Sequence, residues 1–380
     1  MEEKEKKEKE ETVVIAPVEE EKKSHKKRAI LLLLLLLITG FLLTTSTYAW
    51  FTSNTNVQVS NIQVNVTTQN GIQLSADAIN WKSIISTTDL KGAHTTYSAA
   101  TNQLPATMEP VSTALDIEND YFKMFYGKVD TNDAGDYIIT ADDVSTVSDN
   151  STNETGTGND DGDGSKGKFV MFDLFFKLDG VKDAVTNIYM TSGSNVTVPN
   201  SDTDTGIKNA SRVAFINLGE TDSSNTAATA QAITGGTAKY LWEPNYDVHT
   251  ATGVNNAVQV YKMGADTVKT GSDNAIISYD GINSVIEAAD NVKLGDANSS
   301  HDTAGTKFTK VTPSYTTKGD FSGDQYVNFF TLKAGYVTKV RVYFWIEGQD
   351  VDCENGASGG NIVLNLAFST KQPGSETTGD

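Results

Sequence analysis

No charged side chain occurs between Arg28 and Asp77, and this uncharged stretch constrains the chain more than any other feature. It begins with an apolar run, residues 29–43, that contains seven consecutive leucines. A basic cluster that ends at Arg28 precedes the run, and such a cluster keeps the start of an apolar helix in the cytoplasm. The chain that follows the run is therefore predicted to lie outside the cytoplasm.

The residues after the leucines match the recognition pattern of a signal peptidase. Thr47 and Ala49 are the small residues three and one positions before the predicted cut, which would make Trp50 the first mature residue. The apolar run is shorter than the roughly 20 residues that a spanning helix needs, which favours a signal peptide over residues 29–49. A retained anchor is the alternative, because residues 29–51 are uncharged and end in aromatic side chains that suit a membrane interface.

Charge is distributed unevenly along the 380 residues, whose formal net charge is −19. Residues 1–49 contain nine acidic and nine basic side chains, so the entire net charge belongs to residues 50–380. The leader, residues 1–28, consists mostly of Glu and Lys and is predicted to be disordered, because it cannot bury a core. A chain this acidic is not expected to bind nucleic acid, since phosphate groups require a basic surface.

The exported part is predicted to be all-β. Short segments rich in Val, Ile, Tyr, Phe and Thr alternate with clusters of Gly, Asn, Asp and Ser, and no long segment has a helical period. Many such strands without a βαβ rhythm favour a jelly-roll-like antiparallel β-sandwich with long loops and a few short helices. The strands are expected at 57–66, 71 to about 81, 169–178, 185–190, 212–218, 239–242, 258–262, 275–279, 336–347 and 361–369, and the last two form the clearest pair.

One domain, residues 50–370, accounts for these strands, and its first strand falls within residues 50–76. Residues 141–168 are predicted to form a mobile surface insertion, because they are polar and rich in Gly, Asn and Asp. The polar tail, residues 371–380, is expected to be disordered. Short helices are predicted at 119–126 and 282–289.

An acidic, glycine-rich segment within the insertion resembles the start of a calcium-binding loop. Asn159, Asp161 and Asp163 place oxygen ligands at alternate positions, and a glycine follows at the sixth position. Val170 occupies the twelfth position, where a bidentate Glu is needed, so a solvated turn is the favoured interpretation and calcium the alternative. A second fragment, residues 130–135, lacks its third ligand.

Other residues do not predict a metal, cofactor or catalytic site. His94, His249 and His301 are isolated in polar segments and are expected to be exposed rather than to bind zinc. Cys353 is the only cysteine, and the acidic residues around it would raise the pKa of its thiol, which opposes its activation as a nucleophile. The sequence therefore favours a protein that is not an enzyme and has no cofactor, with a surface protease or glycosidase as the third interpretation.

The part of the uncharged stretch after Trp50 contains an alternating strand. Its apolar and polar residues change phase once, at residues 60–61, which predicts a β-bulge. Exposed strands normally carry charges that prevent pairing with other molecules, and this strand has none. It is predicted to complete the sheet of a neighbouring subunit, whereas an ordinary first strand of its own domain is the alternative. Its alternating apolar residues are Val57, Val59, Ile62, Val64 and Val66.

Together these features resemble the TasA/camelysin family of Firmicute surface proteins. The resemblance is carried by Thr47, Ala49, Trp50 and Phe51, followed by the polar β-rich domain. The family implies a jelly-roll fold, export through a signal peptidase of the SipW type, and biofilm-matrix fibres in which one subunit's N-terminal strand completes the next subunit's sheet. Camelysin has been classed as a metalloprotease, but no zinc motif in this sequence supports that activity here. Segments 211–215, 241–245, 342–348 and 352–353 are similar to those of larger clostridial members.

The sequence therefore predicts an exported, Gram-positive cell-surface protein whose main partner is a second copy of itself. Fibre assembly would follow removal of residues 1–49 by the export signal peptidase. Residues 29–51 would contact the membrane before that cut, or permanently if the anchor is retained. A membrane-anchored adhesin or glycan-binding module is the alternative function, and it would be favoured by aromatic side chains such as Trp242 or Tyr246 exposed near a concave face.

Overall fold

The computed structural model describes Ile30 and most of the chain between residues 56 and 372. The chain divides into two units, residues 1–45 and 46–380, and the fold below is that of the second unit. Among the described residues, no helix is long and apolar enough to cross a membrane. Apart from Ile30, the predicted leader and the signal or anchor helix at 29–49 lie outside them. The described ranges are 30, 56–66, 71–131, 137–145, 151–152, 166–245, 248–253, 293–294, 316–318, 327–348, 350, 352–353 and 357–372.

Strands dominate the described part of the second unit, which confirms the predicted all-β class. Two short helices, α1 (Thr87–Gly92) and α2 (Ala227–Gln231), lie between strands. The Ser86 hydroxyl and the Asp89 carboxylate cap the first turn of α1 reciprocally. The strands are β1 (Val57–Val66), β2 (Ile72–Ser75), β3 (Ile84–Ser86), β4 (Thr107–Met108), β5 (Ser112–Glu118), β6 (Tyr121–Thr131), β7 (Tyr137–Asp143), β8 (Ser151–Thr152), β9 (Lys166–Gly167), β10 (Val170–Leu178), β11 (Val185–Met190), β12 (Asn195–Thr197), β13 (Ser211–Asp222), β14 (Ala238–Glu243), β15 (Lys293–Leu294), β16 (Thr316–Lys318), β17 (Val327–Lys333), β18 (Tyr336–Ile346) and β19 (Asn361–Ser369).

The described strands form three sheets. Sheet A has the order β17-β11-β19-β1-β4-β9-β8, with β12 paired to β19 and β3 paired to β1. Sheet B has the order β16-β14-β13-β18-β10-β2, and sheet C the order β15-β7-β6-β5. Most pairs are antiparallel, but four are parallel: β1 with β19, β4 with β9, β7 with β15 and β14 with β16. The expectation of a purely antiparallel arrangement is wrong for these pairs, because no hairpin joins them and fixes their direction.

Sheets A and B contribute to one large hydrophobic core. Aromatic rings join them edge to face, with centroids 5.5 Å apart for Phe176 and Phe368 and 4.5 Å apart for Phe215 and Phe329. The other face of sheet B packs against β5 and β6 of sheet C, where Phe122 contacts Tyr343. Strand β10 is therefore buried on both faces, which explains its almost continuous hydrophobicity and confirms the predicted central strand.

Two sequence-based expectations are wrong in detail. Residues 119–126 are not helical, because Asn119 and Asp120 adopt positive φ angles of 52° and 69° and form the turn between β5 and β6. Both residue types tolerate the left-handed region, and two such residues suit a tight hairpin. Strands β18 and β19 are not neighbours, since residues 347–360 carry the chain from sheet B to sheet A. The predicted strands at 258–262 and 275–279 and the helix at 282–289 lie outside the described residues.

Candidate functional sites: the uncharged strand and a buried ionic cluster

The predicted assembly strand, β1, is an interior strand of sheet A. It pairs in parallel with β19 over almost its whole length, from Gln58 opposite Asn361 to Val66 opposite Phe368. Its other edge is paired only near its ends, with β4 at residues 57–58 and with β3 at residues 63–65. In this structure all of these partners belong to the same chain.

The apolar side chains of β1 face the core, as the alternation predicts. Val59 is only partly buried, next to a register shift between Val59 and Asn61 that confirms the predicted bulge. Burying one aliphatic side chain of this size contributes roughly 1.5–3 kcal/mol to the free energy of unfolding. The strand is therefore a major part of the core, and its fully buried side chains are Val57, Ile62, Val64 and Val66.

The bulge leaves a gap along the edge of β1 between β3 and β4. Single hydrogen bonds close the edge here: the Val59 N–H donates to the Ala106 carbonyl (3.0 Å), and the Ile62 N–H donates to Thr87 Oγ1 (2.8 Å). A cavity of about 330 Å³ opens beside them and is lined mainly by β1 and residues 104–107. Strand β1 is therefore held much more continuously by β19 than by its other neighbours.

A buried ionic cluster, which the sequence did not predict, lies where β13 begins and β14 and β18 end. Arg212 is at its centre, with Nε 3.0 Å from Glu243 Oε1 and Nη2 donating to Asp350 Oδ2 at 2.8 Å. All three side chains are at most 1% exposed. Burial opposes the charge of Arg212, but Glu243, Asp350 and Glu347 hold the pKa of its guanidinium above the ordinary value.

A histidine–aspartate pair extends the cluster to the segment 248–253. His249 Nδ1 lies 2.7 Å from Asp352 Oδ2, and the Thr250 N–H and hydroxyl both donate to Asp352 Oδ1 at 2.8 Å. Burial raises the pKa of Asp352, and the hydrogen bond with His249 opposes that rise. The expectation that His249 is an exposed loop residue is wrong, because its acidic partner lets the imidazole be buried.

Three residues of the cluster could contact one metal ion. The ligand atoms of His249, Asp350 and Asp352 all lie within 4.8 Å of one another. The protein already engages these atoms, since Asp350 accepts from Arg212 and from the Asp352 N–H, and Asp352 accepts from Thr250 and contacts His249. These side chains are buried, and each is already paired with another group of the protein. In the described residues the cluster therefore connects strand ends to loops.

Two other predicted residues lie near these elements. Cys353 is fully buried, and burial together with Asp350 and Glu347 raises the pKa of its thiol well above the ordinary value, in the direction that the sequence predicts. Trp242 is 0% exposed, so it does not provide the exposed aromatic side chain that would favour the glycan-binding alternative. Its position in β14 directs the indole into the core that sheets A and B share.

Several predicted site residues lie outside the described residues. These include the signal peptidase positions Thr47, Ala49 and Trp50 and the calcium candidates Asn159, Asp161 and Asp163, as well as His301 and Tyr246. Residues 141–143 of the predicted insertion belong to β7, and residues 166–167 form β9. Residues 130–131 of the second calcium fragment belong to β6.

The chain matches no protein-family model, no curated protein and no solved structure.

The buried cluster had a signal in the sequence that the motif search missed. Arg212 is a single charge in the otherwise apolar start of β13, and Asp173 and Arg341 interrupt β10 and β18 in the same way. A charge inside a buried strand requires a partner, because an unpaired ion in the interior is strongly unfavourable. The partners come from distant segments, however, and the sequence does not say which ones.

Proposed function

We propose that the chain is an exported structural protein of the cell surface whose copies assemble by exchanging β1 between jelly-roll-like domains. The observation that carries this proposal is the position of β1, which is uncharged and buried in the middle of sheet A. Within the domain it is connected to the other strands only through residues 67–70. A strand of this kind can be supplied by the same chain or by a neighbouring copy with the same contacts.

The distribution of charge supports exchange of this particular strand. The net charge of −19 belongs entirely to residues 50–380, so copies repel one another at most surfaces. Strand β1 brings no charge into the contact, and its aliphatic side chains are buried in either arrangement. Cleavage before Trp50 would release the strand from the leader and leave its start free to enter another domain.

Disulfide trapping tests whether β1 comes from the same chain or from a neighbour. Asn65 in β1 lies directly opposite Ala367 in β19, and both positions face away from the core. Cysteines at both positions, Asn65→Cys with Ala367→Cys, are close enough to form a disulfide across the pair. Oxidation of the assembled, exported protein is expected to give a ladder of covalent oligomers on a non-reducing gel.

A matched control distinguishes exchange from random oxidation. Asn195 and Asn365 are also opposite each other, on β12 and β19, and neither strand is proposed to exchange. The Asn195→Cys, Asn365→Cys variant should remain a monomer on the same gel. A monomeric band for both variants would show that β1 closes its own sheet and would contradict strand exchange. Mass spectrometry of the exported protein should find Trp50 at its start, and an intact segment 1–49 would contradict release of the strand.

A further inference from the structure

Most strands of sheet A contribute no charged side chain to its outer face, and the carboxylate of Asp202 reaches this face at Asn361, whose Nδ2 donates to it at 2.7 Å. Six of its strands, β1, β3, β4, β11, β12 and β19, contain no Asp, Glu, Lys or Arg. Charged residues make up 21% of the chain, and most of the net charge must therefore lie on other surfaces. A neutral sheet face on so acidic a protein is expected to attract a different class of partner from the rest of the surface.

Three amide side chains on this face form a row that crosses the strands. Gln63 lies opposite Asn365, which lies opposite Asn195, so one row spans β1, β19 and β12. Within this row Asn365 Nδ2 donates to Asn195 Oδ1 at 2.8 Å, and along β1 Gln63 Nε2 donates to Asn65 Oδ1 at 3.0 Å. These bonds fix the orientation of the amides while each amide retains further hydrogen-bonding capacity. Other polar residues on the face are Gln58, Asn61, Asn187, Thr197 and Asn361.

The spacing of these amides suits an extended ligand. Neighbouring strands are about 4.8 Å apart, and residues on one face of a strand repeat about every 6.7 Å. The amides therefore place donors and acceptors at intervals along and across the strands, and Val363 and Ala367 of β19 interrupt this pattern. At one side of the amides, Tyr189 adds an aromatic ring whose hydroxyl accepts from Asn187 Nδ2 at 3.3 Å.

The chemistry of the face favours a neutral polyhydroxylated partner over a protein or a polyanion. Protein interfaces have an apolar centre with aromatic, Met or Arg anchors, whereas this face has an amide row across β1, β19 and β12 and exposes the apolar side chains of Ile84 and Val185 only on β3 and β11. A polyanion would find no cation on these six strands and would be repelled by the net charge of −19. A hydroxyl both donates and accepts hydrogen bonds, as an amide does, so an uncharged sugar polymer satisfies these groups without a counter-charge.

We infer that the outer face of sheet A binds an uncharged polysaccharide through the amide row of β1, β19 and β12 and the polar side chains beside it. The inference does not depend on strand exchange, since the face has the same composition whether β1 comes from the same chain or from a neighbour. It also differs from a loop-based glycan site, because the contacts come from the sheet itself.

Native gel electrophoresis of the full chain, with polysaccharide cast into the gel, tests this inference. Dextran, mannan and a neutral β-glucan serve as the uncharged probes, and polygalacturonate serves as the anionic comparison. At least one neutral polymer should retard the protein, and polygalacturonate should not. The triple variant Asn61→Ala, Gln63→Ala, Asn195→Ala should raise the apparent dissociation constant at least tenfold.

Isosteric variants keep the test valid if the alanine variant unfolds. Asn195→Asp adds one negative charge to the face and should weaken retardation severalfold. Asn225→Asp adds the same charge at an exposed turn that is not on the face and should change nothing. Circular dichroism melting curves check that both variants remain folded.

Three results would overturn the inference. They are no retardation by any neutral polymer, retardation that persists in the face variants, and equal retardation by polygalacturonate. Self-association that is lost in the face variants, with no glycan binding, would instead identify the face as a contact between copies and would also overturn it. The disulfide ladder reports separately on strand exchange, so failure of one proposal is distinguishable from failure of the other.

Discussion

Asp173 lies in β10, the most apolar strand of the domain, and its carboxylate is fully buried. Arg341 on the adjacent strand donates from Nε to Asp173 Oδ1 at 2.8 Å, and Lys339 Nζ lies 3.2 Å from Oδ2. Burial alone would raise the pKa of Asp173, but the two cations hold it below the ordinary value. Asp173 therefore stays ionised and paired between sheets B and C. Removing one of its partners there is expected to lower the free energy of unfolding substantially.

Replacing Arg341 by Met should lower the free energy of unfolding by about 3–5 kcal/mol, because Asp173 loses its strongest partner in a buried position. Urea denaturation followed by tryptophan fluorescence measures the change. The double variant Asp173→Leu, Arg341→Met should regain part of the loss, since it removes the buried charge as well. The exposed pair Lys182–Asp222 provides the control, and Lys182→Met should leave the denaturation midpoint almost unchanged. If the double variant loses as much free energy of unfolding as the single variant, the unpaired charge of Asp173 is not the cause of the loss.

Asp77 should make stability depend on pH at the acidic end. Burial would raise its pKa, but hydrogen bonds from the Asn80 N–H, the Thr96 hydroxyl and the Ile79 N–H lower it to about 2. Because an unfolded Asp titrates near 3.9, the folded state favours the ionised form. The stabilisation, about 2 kcal/mol, is therefore fully present above roughly pH 4 and is lost as the pH falls towards 2.

The variant Asp77→Asn tests this dependence. Its free energy of unfolding should be lower than that of the wild type at pH 7, and the difference should shrink as the pH falls from 4 to 2. Urea denaturation at several pH values measures both proteins. Asp179→Asn, at an exposed position, should behave like the wild type throughout. A constant difference between Asp77→Asn and the wild type across this range would contradict the proposed role of the carboxylate.

Individual strands show how far the sequence predicts the structure. The alternation of β1, its bulge at residues 60–61 and the two-faced burial of β10 follow from local patterns, and all three are confirmed. The pairing of β1 with β19 has no local signal, because any strand of similar alternation could occupy that place. The turn at Asn119–Asp120 was mistaken for part of a helix, since left-handed residues are recognised only once both flanking strands are known.

Sequence motifs could not predict the buried cluster either, because its contacts also have no local signal. His249 and Asp352 are 103 residues apart, and their contact depends on two loops meeting at the end of sheet B. The spacing between two residues in the sequence predicts a shared site only when both lie on the same helix, strand or loop. His249 and Asp352 lie on different loops. The burial of Cys353 was likewise not predicted, although the acidic residues beside it gave the correct direction of its pKa.

A negative charge introduced into β1 should destabilise the protein much more on the buried face of the strand than on the outer face. Val64 is 0% exposed, and Val64→Asp should lower the free energy of unfolding by more than 3 kcal/mol because it buries an unpaired carboxylate. Asn65→Asp adds the same charge on the outer face and should cost less than about 1 kcal/mol. Thermal melting by circular dichroism compares the two. Similar losses for both variants would mean that β1 does not contribute to the core as described.

At the scale of the whole molecule, Cys353 reports on opening of the domain, because it is the only cysteine and is fully buried. A thiol reagent such as Ellman's reagent should modify it very slowly in the native protein and quickly in denaturant. His249→Ala removes the partner of Asp352 beside it and should accelerate native-state labelling at least tenfold. His94→Ala lies on a separate segment and should leave the rate unchanged. Rapid labelling of the wild type would contradict the burial of this region.

Strands β1 and β19 are the first and last strands of sheet A along the chain, and their pairing determines when the sheet can form in the cell. Ser60 Oγ donates to the carbonyl of Ile362, 302 residues later, so the middle of the sheet is absent until almost the whole chain has been made. At about 5–20 residues per second, β1 waits on the order of 15–60 s for its partner strand. Contacts this distant also slow folding itself. Under the proposed strand exchange, the concentration of other copies during that interval would decide whether the sheet closes within one molecule or between two, and the expression level would then control polymer formation kinetically.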